Sequence, residues 1–140
     1  MKETDNYDVT IIGGGLAGLA LSIQLARKGY KVALFEKEQY PFHKVCGEYI
    51  SMESWAFIES LGVPLSQMNL PFINKLIVTA PNGNSLQHHL PLGGFGISRY
   101  CLDNKLKNIS ENLEFGQKRS EKDEMPNTVI HLGCASGGSP

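Results

Sequence analysis

A short β-branched run, Val9-Thr10-Ile11-Ile12, leads directly into Gly13-Gly14-Gly15-Leu16-Ala17-Gly18, and no other stretch of the chain constrains its fold as strongly. Three glycines in a G-x-G-x-x-G pattern let a backbone turn tightly, approach a ligand closely and pack the following helix against its strand. The flanking residues supply the rest of a βαβ unit. Leu16, Leu19, Ala20, Ile23 and Ala26 recur at helical spacing, and Gly29 stands where that helix should stop. Val32 to Phe35 read as a second strand, ending in Glu36. That acid lies 36 − 13 = 23 positions after Gly13, near the roughly twenty expected of a carboxylate that reaches a ribose.

Strand, turn, helix, strand and acid in this order predict a dinucleotide site. The amides of Gly13, Gly15, Leu16, Ala17 and Gly18, at the positive end of the helix dipole, would face a diphosphate. Glu36 would accept hydrogen bonds from ribose hydroxyls and repel the extra phosphate of NADP. Its neighbour Lys37 is a candidate phosphate contact, with a solvated surface lysine as the alternative. The fingerprint itself does not choose between FAD and NAD, because both share the adenosine diphosphate half.

At 140 residues, the chain has the size of one domain and not of a cofactor domain plus a full substrate domain. A net charge of −1 gives no electrostatic basis for nucleic acid or an anionic membrane as partner, and points to a small-molecule substrate. Cys46, Cys101 and Cys134 are odd in number and lack metal-type spacing, so they suit the reducing cytoplasm, with no metal site expected. His88 and His89 alternate across a strand and cannot share one ion. The N-terminus is polar and the first apolar run is short, which predicts neither a secretion signal nor a membrane span.

Farther along, residues 37–50 read as an ordered, function-bearing loop around Pro41 and Gly47. Ser51 is placed to cap a helix running to about Leu61, ended by Gly62 and Pro64. Ile73 to Thr79 and Ser85 to Leu90, joined through Asn82-Gly83, predict a hairpin over 73–90. Ser98 is placed to cap a helix over 98–112 carrying Arg99, Leu102, Leu106 and Ile109. Residues 113–140 read as a divergent or flexible C-terminal tail, dense in charge over 117–127, with Thr128 to Leu132 as one further strand candidate.

Three segments carry a family resemblance: Gly13-Gly-Gly-Leu-Ala-Gly18 with Glu36, Lys44-Val-Cys46-Gly47-Glu48, and Gly96-Ile-Ser-Arg99-Tyr-Cys-Leu-Asp103. Over about residues 7–109 the chain resembles the N-terminal part of flavin-dependent oxidoreductases of the geranylgeranyl reductase type, within the wider class of aromatic hydroxylases and flavin-dependent halogenases. The resemblance implies FAD as cofactor, with Cys46 and Gly47 beside the flavin and Arg99 approaching it. Lys44 occupies a position often basic in that family. Gly47 would let the main chain meet the flat ring, and the Arg99 guanidinium suits a phosphate or a flavin carbonyl. The alternatives are an inert packed thiol for Cys46, a solvated Lys44 and an ion pair of Arg99 with Asp103. Two departures stand out: Tyr49 follows Cys-Gly-Glu where the family commonly has glycine, and the family's later Gly-Asp motif does not occur.

The expected fold is therefore α/β, a partial three-layer FAD/NAD(P)-binding Rossmann-like fold of the glutathione-reductase type with a β-hairpin excursion. Residues 1–112 would be the N-terminal part of the FAD-binding domain. The resemblance implies a reductase or monooxygenase-like parent enzyme, NAD(P)H as a possible electron donor, an isoprenoid or aromatic substrate, and a truncated or N-terminal fragment. A non-catalytic dinucleotide-binding module and an NAD-dependent dehydrogenase are the competing readings. No catalytic acid or base is assigned, because the flavin would perform the difficult chemistry.

Overall fold

The computed structural model describes residues 7–45, 48–113 and 130–131. The chain divides into two compact units, residues 1–42 with 103–140, and residues 43–102.

In the first unit, strand β1 (Val9–Ile12) is the middle of a three-stranded sheet, with β2 (Val32–Phe35) and the two-residue β6 (Ile130–His131) parallel to it on either side. Thr10, Ile11, Val32, Ala33 and Leu34 are all buried, as expected of near-continuous apolar strands in a parallel sheet. Helix α1 (Leu16–Arg27) connects β1 to β2 and buries Leu19, Ala20 and Ile23. Each of the two larger side chains contributes about 1.5–3 kcal/mol by leaving water. The helix ends in a Schellman motif: Gly29, at φ +85°, donates to the Ala26 carbonyl at 2.7 Å and Tyr30 to the Leu25 carbonyl at 3.2 Å. Only a residue at ease with positive φ closes a helix this way.

Helix α3 (Arg99–Asn112) begins under a side-chain cap, with Ser98 Oγ accepting from the Cys101 amide at 3.2 Å. Along its later turns Leu106 and Ser110 are fully buried. Ser110 Oγ lies 3.1 Å from Ser22 Oγ of α1, and Ser22 also donates to the Leu19 carbonyl at 2.8 Å. Two small buried polar residues thus meet, the Ser22 hydrogen going to the Leu19 carbonyl and the Ser110 hydroxyl donating to Ser22 Oγ.

The second unit is an antiparallel sheet in the order β3-β5-β4, made by β3 (Tyr49–Ser51), β4 (Phe72–Thr79) and β5 (Ser85–Gly96). Its core is Phe95, buried and met edge-on by Trp55 at 4.9 Å and 81°, together with Ile58, Leu61, Val63 and Leu65. Short helix α2 (Trp55–Ser60) carries Glu59, whose Oε1 accepts from the Ser66 amide at 2.9 Å. That amide, with help from the Ser66 hydroxyl and Trp55, holds the Glu59 carboxyl below its ordinary pKa against a small opposing effect of burial.

Two elements differ from their sequence expectations. The helix expected from Ser51 is divided: Ser51 belongs to β3 and makes no side-chain cap, Met52–Ser54 form a 3-10 turn, and the α-helix starts at Trp55. Pairing of Tyr49–Ser51 with Gly94–Gly96 is a long-range demand that overrides the local capping signal. The return strand also runs to Gly96 and not Leu90. Its pairing jumps from Lys75↔His89 to Ile73↔Gly94, so Pro91 falls in a bulge where no ladder amide is required. The hairpin loop closes through Ala80, which accepts from Gly83 and donates to Asn84. Gly83 lies at φ +87°; this is a three-residue loop, longer than a bare Asn-Gly turn.

Candidate nucleotide-binding site

The first unit brings the glycine turn and the end of β2 together. Parallel pairing sets Ile12 beside Phe35, so the residues that follow each strand emerge side by side. Gly13, at φ +99°, donates to the Phe35 carbonyl at 2.8 Å, which extends the ladder by one bond and starts the turn. Gly15 is the N-cap of α1, in extended backbone and without a side-chain cap, and its carbonyl accepts from Leu19 at 2.9 Å. The first turn of α1 holds no acidic residue. Its leading amides have no intrahelical acceptor, and no carboxylate of that turn neutralises the helix dipole, an arrangement suited to an anion.

Glu36 turns back toward the glycines. Its Oε2 accepts from the Gly14 amide at 2.8 Å and its Oε1 from the Glu38 amide at 3.1 Å. Both oxygens are therefore fixed by main-chain donors, and each retains acceptor capacity for a hydroxyl donor. Close packing explains the remaining glycines. A Cβ on Gly18 would overlap the Gly13 carbonyl oxygen, and one on Gly14 would run into the Tyr40 hydroxyl and Glu36 Cβ. Tyr40, half-buried, donates its hydroxyl to the Gly14 carbonyl.

Gly14 and Tyr40 were not among the residues expected from sequence. The run of three glycines was visible, but position 14 is a variable one in the fingerprint, and Tyr40 approaches it from 26 residues away. Of the expected residues, Gly13, Gly15, Leu16, Ala17, Gly18 and Glu36 are gathered at this turn. Lys37 is exposed, with its Nζ 3.8 Å from Glu38 Oε1, a solvated pair of small energetic weight. Lys44 and Arg99 lie in the second unit, both half-buried, with Arg99 at the first position of α3. Cys46 and Gly47 lie outside the described residues. No helix among the described residues is long and apolar enough to cross a membrane.

Residues 8–45, which contain this site, match the family described as FAD dependent oxidoreductase. The chain is similar to conditioned medium factor receptor 1 of Dictyostelium discoideum, at 37% identity over 56% of the chain and 16% of that protein. It is likewise similar to digeranylgeranylglycerophospholipid reductase of Sulfolobus acidocaldarius, at 40% identity over 46% of the chain and 14% of the reductase. Among solved structures, the flavin-dependent brominase Bmp2 superposes with a TM-score of 0.63 at 26% identity, over 81% of the chain and 29% of the brominase. The chain thus spans less than a third of the length of each of these proteins.

The fold is accordingly the FAD-binding, Rossmann-like α/β fold in part. The opening segment is of the FAD dependent oxidoreductase type, as the sequence resemblance implies, and FAD is the cofactor of that family by its description.

Proposed function

We propose that the Gly13–Gly18 turn and Glu36 hold the adenosine diphosphate half of FAD, and that the chain is the nucleotide-binding opening of a flavin-dependent oxidoreductase. The observation that carries this reading is the 2.8 Å bond from the Gly14 amide to Glu36 Oε2, which sets a ribose-type carboxylate against a helix N-terminus free of acidic side chains. The amides of Gly15, Leu16 and Ala17 receive the diphosphate, Gly13 and Gly18 allow its approach, and Glu36 receives the ribose hydroxyls. Lys37 stands at the rim. For Lys44, Cys46, Gly47 and Arg99 the proposed role is the flavin-side one that the family resemblance implies, the Arg99 guanidinium being suited to a phosphate or a ring carbonyl.

The flavin, when bound, supplies hydride or oxygen chemistry, and this chain's residues bind and orient it. NAD(P)H is the proposed electron donor, and an isoprenoid or aromatic small molecule the proposed substrate. The activities named for the relatives differ, a lipid reductase beside a brominase. The part they share with this chain therefore bears on the cofactor more than on the substrate.

Incubation of the chain with FAD, removal of free cofactor and an absorbance spectrum test the reading. A retained, reducible flavin spectrum is the expected result. Binding of ADP or NAD with no retention of flavin would favour a non-catalytic nucleotide module, and no binding of any adenine nucleotide would overturn the proposal.

A further inference from the structure

Gly14 is held at both of its polar ends. Its amide donates to Glu36 and its carbonyl accepts from the Tyr40 hydroxyl. In a trans peptide the C=O and the following N–H point in opposite directions across one rigid plane. Fixing the Gly14 carbonyl toward Tyr40 therefore fixes the Gly15 amide to the other side of that plane. The preceding peptide is fixed in the same way: the Gly13 carbonyl oxygen abuts Gly18, and the Gly14 amide of that same plane reaches Glu36. Two successive peptide planes leading into α1 thus have their orientations set by side chains on the segment after β2. Tyr40 is itself steadied, since its ring packs tilted on Phe42 at 5.4 Å and 54°.

We infer that Tyr40 is a positioning residue for the nucleotide diphosphate, acting through the Gly14 carbonyl to aim the Gly15 amide; the inference rests on the nucleotide reading given above. Without the hydroxyl, the Gly14–Gly15 plane is free to rotate and can turn a carbonyl oxygen, not an amide, toward the anion. Adenosine alone has no phosphate and does not depend on that plane. Tyr40 therefore determines affinity for the diphosphate and leaves affinity for the nucleoside unchanged.

Tyr40→Phe keeps the ring and removes only the hydroxyl. Titrations of the full chain with ADP and with adenosine, followed by NMR of the protein amide resonances, give the two affinities, and thermal unfolding checks that the variant is folded. The expected result is an ADP affinity lower by about fivefold, the equivalent of one neutral hydrogen bond, an unchanged adenosine affinity, and a displaced Gly15 amide resonance in the ligand-free variant. Equal weakening of both ligands would mark a merely structural role and overturn the inference, as would an unchanged ADP affinity. Failure of the unaltered chain to bind ADP would instead overturn the nucleotide reading, and this inference with it.

Discussion

The Gly14 amide reaches the Glu36 carboxylate at 2.8 Å across 22 positions of sequence. The contact exists because β1 and β2 run parallel in a register that sets Ile12 beside Phe35, so that the two chain reversals open at the same edge. A carboxylate with both oxygens engaged by amides is oriented before any ligand arrives, and the chain's response to substitution follows from that arrangement.

Glu36→Gln retains the size of the side chain and removes its charge. A hydrogen bond to a charged group is worth about 1.5–3 kcal/mol, so ADP affinity is expected to fall by at least about tenfold. The ratio of affinities for ADP and its 2′-phosphorylated counterpart should narrow, because the repelling charge is gone. Calorimetric titration with both nucleotides checks this; unchanged ratios would remove Glu36 from the site.

Gly18→Ala places a methyl group against the Gly13 carbonyl oxygen, in the backbone and not at the end of a flexible side chain. Relief requires α1 to move away from the turn. The expected loss of stability is about 1–3 kcal/mol, read from the midpoint of a urea titration, together with weaker ADP binding. Wild-type stability in this variant would contradict the packing described for the turn.

Ser22 and Ser110 form a coupled pair between α1 and α3. Ser110→Ala leaves Ser22 its bond to the Leu19 carbonyl, whereas Ser22→Ala strands the buried Ser110 hydroxyl. The second substitution should therefore be the costlier, by about 1 kcal/mol. The double variant should cost less than the sum of the two single variants. Strict additivity in the denaturation cycle would show that the hydroxyls do not interact.

Glu59 contributes a pH dependence to stability. Its folded-state pKa lies below the ordinary value, chiefly because the Ser66 amide binds the ionised carboxylate. The unfolded chain therefore binds the proton first as pH falls. The stabilisation is fully present above the ordinary carboxylate value of about 4.3 and is lost as pH drops through the depressed folded-state value. Glu59→Gln should lower the melting temperature at neutral pH and flatten this acid limb, so that the two curves of melting temperature against pH converge in acid; an unaltered limb would assign it to other carboxylates.

The βαβ unit was legible in the sequence because its signals are local: β-branched strands, apolar residues at helical spacing, and glycines at the turn and at the Schellman end. Glu36 was legible through its spacing from Gly13. The contacts of Gly14 were not, since the fingerprint treats that position as free and only the folded register brings Tyr40 over it. In the second unit the return strand was expected to end at Leu90, yet β5 continues to Gly96 because the irregularity opposite Asn74 takes up residues 90–93 before pairing resumes at Gly94. Ser51 carried a genuine capping signal and was claimed by β3, a pairing that local sequence does not encode.

The clamp on Gly14 has a kinetic meaning as well. A turn whose peptide planes are immobilised during folding presents a rigid receptor, so little conformational entropy remains to be surrendered at the moment of association. Related nucleotides should then arrive at similar speeds and differ mainly in residence time.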